Sequence, residues 1–192
     1  MKRQPFRPVE RESVEHFPPG EAPGVTVPGD FVLTHGDAWT SRMIRFGQAL
    51  RIYGDDRTYT YWNHAAMIVG ADGSIVEALG AGVRVGNLST YLRASYHIVH
   101  IDASAADRVQ VVRYTESQVG IPYGFLTIVG IAFGLLTGAK FTFDFEGQHI
   151  CSGLVARSLE RTDAIFNRSP EHIMPADLAK YYSVDITGAG TP

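Results

Sequence analysis

Two short apolar runs, Asn63–Val69 (NHAAMIV) and Ser74–Leu79 (SIVEAL), meet at a tight turn containing Asp72-Gly73. Asp-Gly readily takes the backbone angles of a hairpin turn, so the two runs read as neighbouring antiparallel strands. This commits the middle of the chain to a sheet. Phe31–Thr34 reads as an earlier strand, Gly82–Val85 as a short third member and Tyr96–Asp102 as another. Helical signals lie on either side. Ser41–Tyr53 has apolar residues at helical spacing (Met43, Ile44, Phe46, Ala49, Leu50, Ile52), and Gly54–Tyr61 follows as a polar loop. Ser104 with Asp107 has capping-box spacing and opens a helix with Val109, Val112 and Val119 among its apolar positions. A strand at Phe141–Phe145, a helix near Ile150–Arg161 and a helix opened by Pro175 complete the pattern, and Val184–Thr187 is available to close the sheet. Strands in the middle flanked by helices predict an α+β fold.

At 192 residues the chain fits one domain plus an extension. The extension is 1–28, rich in proline and charge, and reads as an extended arm lying along its own domain or against a protein partner. The folded domain spans 29–192. A formal charge of -3 and the lack of a Lys/Arg cluster with interleaved aromatics argue against nucleic acid as a partner. The N-terminus carries basic residues without a following apolar stretch, so no secretory signal is expected and the compartment stays unknown. The longest apolar run, Phe125–Gly138, is shorter than the roughly 20 residues that a membrane-spanning helix needs, and suits a buried helix or a hydrophobic lid.

Chemistry concentrates on three residues. Cys151, the only cysteine, stands where a loop gives way to an amphipathic helix. Backbone N–H groups and the dipole at a helix start favour a thiolate, although a free cysteine is equally at home as a small buried hydrophobe. His64 opens its strand and shares a face with Ala66 and Ile68, either as a base or as a satisfied structural histidine. Glu77 lies within the next strand on the face of Ile75 and Leu79. A carboxylate there is costly unless paired, so it either orients the imidazole or faces water from an edge. Among the other histidines, His97 and His100 face opposite ways, His35 with Asp37 supplies only two ligands, His149 lacks an orienting partner, and His16 is in the arm. No metal and no cofactor are expected.

VGIPYGF at 119–125 followed by CSGLV at 151–155 resembles the NlpC-type cysteine peptidases, and HAAMIVG and IVEALG resemble that family's later strands. Here His64 and Glu77 precede Cys151. That order, with PGDFVLTHG at 28–36 and MPADLAKYY at 174–182, is similar to the circularly permuted YiiX-like group. The resemblance implies a circularly permuted papain-like fold, with a small antiparallel sheet packed on helices. It also implies Cys151 as nucleophile, His64 as base and Glu77 as orienter. Tyr123 becomes an active-site hydroxyl, with Gln148 a second candidate for the oxyanion and Ser152 a further residue at the substrate side. The implied activity is amide hydrolysis through a thioester, on bacterial cell-wall peptides. The apolar insert after Tyr123 departs from the family pattern and keeps open a lipid amidase, thioesterase or acyltransferase. The proline-rich arm keeps open an assembly protein of a virion or secretion particle.

Overall fold

The computed structural model describes residues 11–36, 48, 52, 54–121, 151–164, 166, 169–184 and 186. Six strands form one sheet: β1 (Arg11–Phe17), β2 (Phe31–Thr34), β3 (His64–Ile68), β4 (Ser74–Leu79), β5 (Gly82–Asn87) and β6 (Tyr96–Ile101). Their order is β1-β6-β2-β3-β4-β5, with every neighbouring pair antiparallel. Three α-helices are described: α1 (Ala105–Ser117), α2 (Cys151–Leu159) and α3 (Pro175–Tyr181). The architecture is mixed, with an antiparallel sheet packed on helices.

Period-two alternation sorts the strands into two apolar layers. Phe31, Leu33, Ala65, Met67, Val99 and Ile101 face the helices, where Val111 of α1, Val155 and Leu159 of α2 and Leu178 of α3 meet them. Val32, Ala66, Ile68, Ile75 and Ile98 face the other way, under Phe17 and Leu88. Part of the arm covers this second layer. Gly20 N–H donates to the Leu92 carbonyl, the Tyr96 hydroxyl to the Glu21 carbonyl, and the Thr26 hydroxyl to the Gly70 carbonyl. Burial on both sides explains why β2 and β3 read as continuous apolar runs.

Several expectations are corrected. The arm lies along its own domain and the sheet begins before residue 29: Arg11–Phe17 is the edge strand β1, paired with β6 in the register His16↔His97 and Phe17↔Tyr96. Val184 does not extend the sheet. Its N–H donates to the Ala179 carbonyl and its own carbonyl accepts from the Trp62 indole, so it ends the turn after α3. Gly54–Tyr61 is a 3-10 helix and not a loop. In α1 the buried stripe is Val111 and Thr115, whereas Val109 is 48% exposed. The Thr115 hydroxyl lies 2.7 Å from both the Val111 carbonyl and the Ser158 hydroxyl of α2, so a polar contact joins these helices. The Ser104 cap is present as anticipated, its side chain accepting from the Asp107 N–H.

The Ser41–Tyr53 helix falls mostly outside the described residues, apart from an Ile52 N–H to Gln48 carbonyl bond of helical spacing. Gln48 is buried and bonds three backbone groups: the carbonyls of Thr60 and Trp62 and the N–H of Ala176. The apolar run 125–138 and the strand 141–145 lie outside the described residues. Among the described residues, no helix is long and apolar enough to cross a membrane.

Candidate active site

The hairpin turn uses Gly73 at φ +82°, with the Asp72 carboxylate accepting from the Ser74 N–H. That turn sets the register Met67↔Val76 and Ile68↔Ile75. Counting along the strands places Ala66 opposite Glu77, so His64 and Glu77 are diagonal neighbours on one face. Their side chains meet: His64 Nε2 is 2.8 Å from Glu77 Oε2. Asn63, fully buried, fixes the strand entry by exchanging two hydrogen bonds with the backbone of Gly36.

The thiol arrives from the helix layer. Cys151 is the first residue of α2 and is 1% exposed. Leu154, one turn on, packs against Val76, Ala78 and Val83 and seats the helix over β4 and β5. Burying such a side chain stabilises by about 1.5–3 kcal/mol. Serine at 152 anchors the other flank, its hydroxyl donating to the Ile173 carbonyl at 2.6 Å. The Ser152 side chain is therefore turned away from the thiol, and its contribution there is a backbone N–H.

A helix on one face of a sheet does not ordinarily reach a side chain on the other. Here it does, because β3 and β4 are paired at only two positions and part beyond Met67. Neither His64–Ala66 nor Glu77–Leu79 is paired across this opening. The Ala65 N–H is free of β4 and bonds the Cys151 sulfur, and the thiol bonds His64. With Nε2 committed to Glu77, Nδ1 is the ring nitrogen left for the thiol.

Two residues absent from the sequence reading complete the site. Arg84 stands directly opposite Glu77 in β5 and donates from Nε and Nη2 to Glu77 Oε1 at 3.3 and 3.2 Å. Tyr91, at the end of the 3-10 turn Leu88–Tyr91, donates its hydroxyl to Glu77 Oε2 at 2.5 Å and lies 3.0 Å from His64 Nε2. Arg84 could have been found by counting back from the Gly80-Ala81 turn. Tyr91 leaves no periodic signal.

The electrostatics follow from these contacts. Burial disfavours the charged form of all three groups, yet their neighbours outweigh it. Against burial, contact with Cys151 and then Glu77 raises His64 to about 9. Burial also opposes the thiolate, but His64 and the Ala65 and Ser152 amides hold the Cys151 thiol below its ordinary value. Glu77 is held at about 2, with His64, Tyr91 and Arg84 together overcoming burial. The shifts of all three groups run in the direction of a thiolate–imidazolium pair backed by a carboxylate.

Tyr123, Gln148, His149 and Asp37 lie outside the described residues. His97 and His100 do point to opposite faces: the His97 ring lies tilted against that of His16 at 4.5 Å, and His100 Nδ1 bonds the buried Asp30 carboxylate at 2.6 Å. Among the described residues, no group of three or more His, Cys, Asp or Glu side chains is placed to hold a metal ion. No family model matches the chain, and no curated protein matches it significantly.

Proposed function

We propose that this chain is a cysteine hydrolase that cleaves amides through a thioester, with Cys151 as nucleophile, His64 as acid and base, and Glu77 as orienter. The observation that carries the reading is the three-residue chain itself: thiol to imidazole, imidazole to carboxylate at 2.8 Å, all buried. A nucleophile, a base and a group that fixes the base's tautomer are the parts that covalent acyl transfer needs.

In the first half-reaction the Cys151 sulfur attacks the substrate carbonyl carbon and a C–S bond forms. The His64 imidazolium gives its Nδ1 proton to the departing amine nitrogen as the C–N bond breaks. In the second, neutral His64 takes a proton from water, which attacks the thioester, releases the acid and restores the thiolate. We assign the backbone N–H groups of Ala65 and Ser152, which face the sulfur, to the oxyanion as well.

The preferred substrate is a peptide amide of bacterial cell-wall type, on the strength of GIPY at 120–123 and CSGLV at 151–155. The second reading keeps the chemistry and exchanges the substrate for a lipid amide or thioester, favoured by the apolar run after Tyr123.

The test is the rate of iodoacetamide alkylation against pH, read without ambiguity because the chain has one cysteine. A reactive thiolate well below about pH 8.5 that is lost in His64→Ala supports the pair. A slow thiol with ordinary pH dependence in both proteins overturns it. Muropeptide and detergent-dispersed lipid amide assays then separate the two substrate classes.

A further inference from the structure

Glu77 is 2% exposed and each of its oxygens is taken by a different donor set. Arg84 grips Oε1 through Nε and Nη2, although its own side chain is 56% exposed. Oε2 is shared by the Tyr91 hydroxyl at 2.5 Å and His64 Nε2 at 2.8 Å. The Tyr91 proton belongs to the carboxylate, because Nε2 must keep its own hydrogen to donate there. The third side of the triangle, 3.0 Å from Tyr91 to Nε2, then makes the phenol oxygen a secondary acceptor for the same N–H.

We infer that Arg84 and Tyr91 are positioning residues for the acyl-transfer chemistry, Arg84 fixing which carboxylate oxygen faces His64 and Tyr91 setting how much of that oxygen's charge His64 receives. The inference rests on the reading of Cys151 and His64 as the reacting pair. A carboxylate free to swing could offer His64 either oxygen or neither. With Oε1 held from β5, only Oε2 is presented. Two donors on one oxygen compete, since each withdraws electron density that the other would use. Tyr91 therefore weakens the hold of Glu77 on the imidazolium, keeping His64 able to release its proton to the leaving group.

Among the described residues, the groups that face His64 are Cys151 from α2, Glu77 from β4 and Tyr91 from the 3-10 turn, with Arg84 behind Glu77. Each variant thus has a defined direction. Tyr91→Phe keeps the ring and its edge-on packing against His64 and removes only the hydroxyl. The weak acceptance by the phenol oxygen at 3.0 Å is lost, but the shorter carboxylate contact at 2.8 Å strengthens and outweighs it, so His64 deprotonates about half a pH unit higher. Arg84→Met removes a cation behind the same carboxylate and moves His64 the same way, while Arg84→Lys restores charge without the fork and recovers only part of the shift.

The experiment is a 15N-detected pH titration of the His64 ring in the full chain and these three variants, run alongside Cys151 alkylation. A rise in the His64 midpoint in Tyr91→Phe and Arg84→Met, with folding confirmed by circular dichroism, supports the assignment. An unchanged or lowered midpoint in folded Tyr91→Phe overturns the role of Tyr91, and the same result in Arg84→Met overturns that of Arg84. The ring titration needs no turnover. A shifted midpoint beside an unreactive thiol sinks the hydrolase reading alone, and a reactive thiol with unshifted midpoints sinks the positioning roles alone.

Discussion

Two buried histidines on one sheet meet opposite fates. His64 on β3 is 8% exposed and is raised to about 9, whereas His97 on β6 is 3% exposed and is lowered to about 4. Burial lowers both; what differs is what the rings touch. His64 has a carboxylate, a phenol and a thiol within bonding distance. His97 has the rings of Trp62 and His16, at 4.6 and 4.5 Å, and its Nδ1 and both His16 nitrogens are buried without a hydrogen-bond partner among the described residues. A second imidazole cannot balance a charge, and its own protonation would oppose one. Desolvation is common to both places, and the partner set decides the sign.

The comparison can be broken from either side. The largest effect belongs to the site. In His64→Ala the thiol loses its cation and keeps its burial, so alkylation at pH 6 falls by about two orders of magnitude, as expected when a thiol returns to a value of 8.5 or above. Glu77→Gln keeps shape and removes charge. His64 then loses its anchor, its midpoint drops, and alkylation at pH 7 falls about tenfold; an unchanged rate denies Glu77 its orienting role.

Acid is the lever for the other histidine. A folded-state value below the ordinary 6.5 means that neutral His97 contributes stability fully above pH 6.5, and that this contribution is lost as pH falls towards about 4. Urea unfolding at pH 7 and pH 5 therefore shows a loss on the order of 1–2 kcal/mol in the native chain. The loss shrinks in His97→Phe, which cannot be protonated, and an equal loss in both proteins removes the cause from His97. For His64 the sign reverses: its contribution is full below pH 6.5 and lost as pH rises through about 9.

The smallest change sharpens the geometry. A Cβ on Gly86 would stand 3.2 Å from Glu77 Oε1 and 3.4 Å from Ile75 Cγ1, so Gly86→Ala pushes the carboxylate by a few tenths of an ångström. A few-fold loss of alkylation rate with stability lowered by about 1 kcal/mol is the expected outcome. No change in rate means that Glu77 tolerates displacement.

The parts legible in the sequence are those that rest on a local rule. The β3–β4 hairpin followed from alternation and an Asp-Gly turn, and with it the shared face of His64 and Glu77. The α1 cap followed from Ser104 and Asp107, and the start of α3 from Pro175. Where local rules fall silent, the reading stopped. RESVEHF in β1 has a single aliphatic residue, Val14, so its pairing is visible only beside β6. Tyr91 sits in a turn whose residues obey no period, and Gln48 works through backbone groups far along the chain. The contact of α1 with α2 runs through the hydroxyls of Thr115 and Ser158, which hydrophobic periodicity does not count.

The parting of β3 from β4 also bears on when the thiol first meets its imidazole. Base and orienter are set by a hairpin that can form early from adjacent residues, but the sulfur enters between the strands only after α2 has been synthesised and docked. A nascent or partly unfolded chain holds its thiol apart from its imidazole and has no sharpened nucleophile. The meeting of thiol and imidazole is thus a property of the folded state alone.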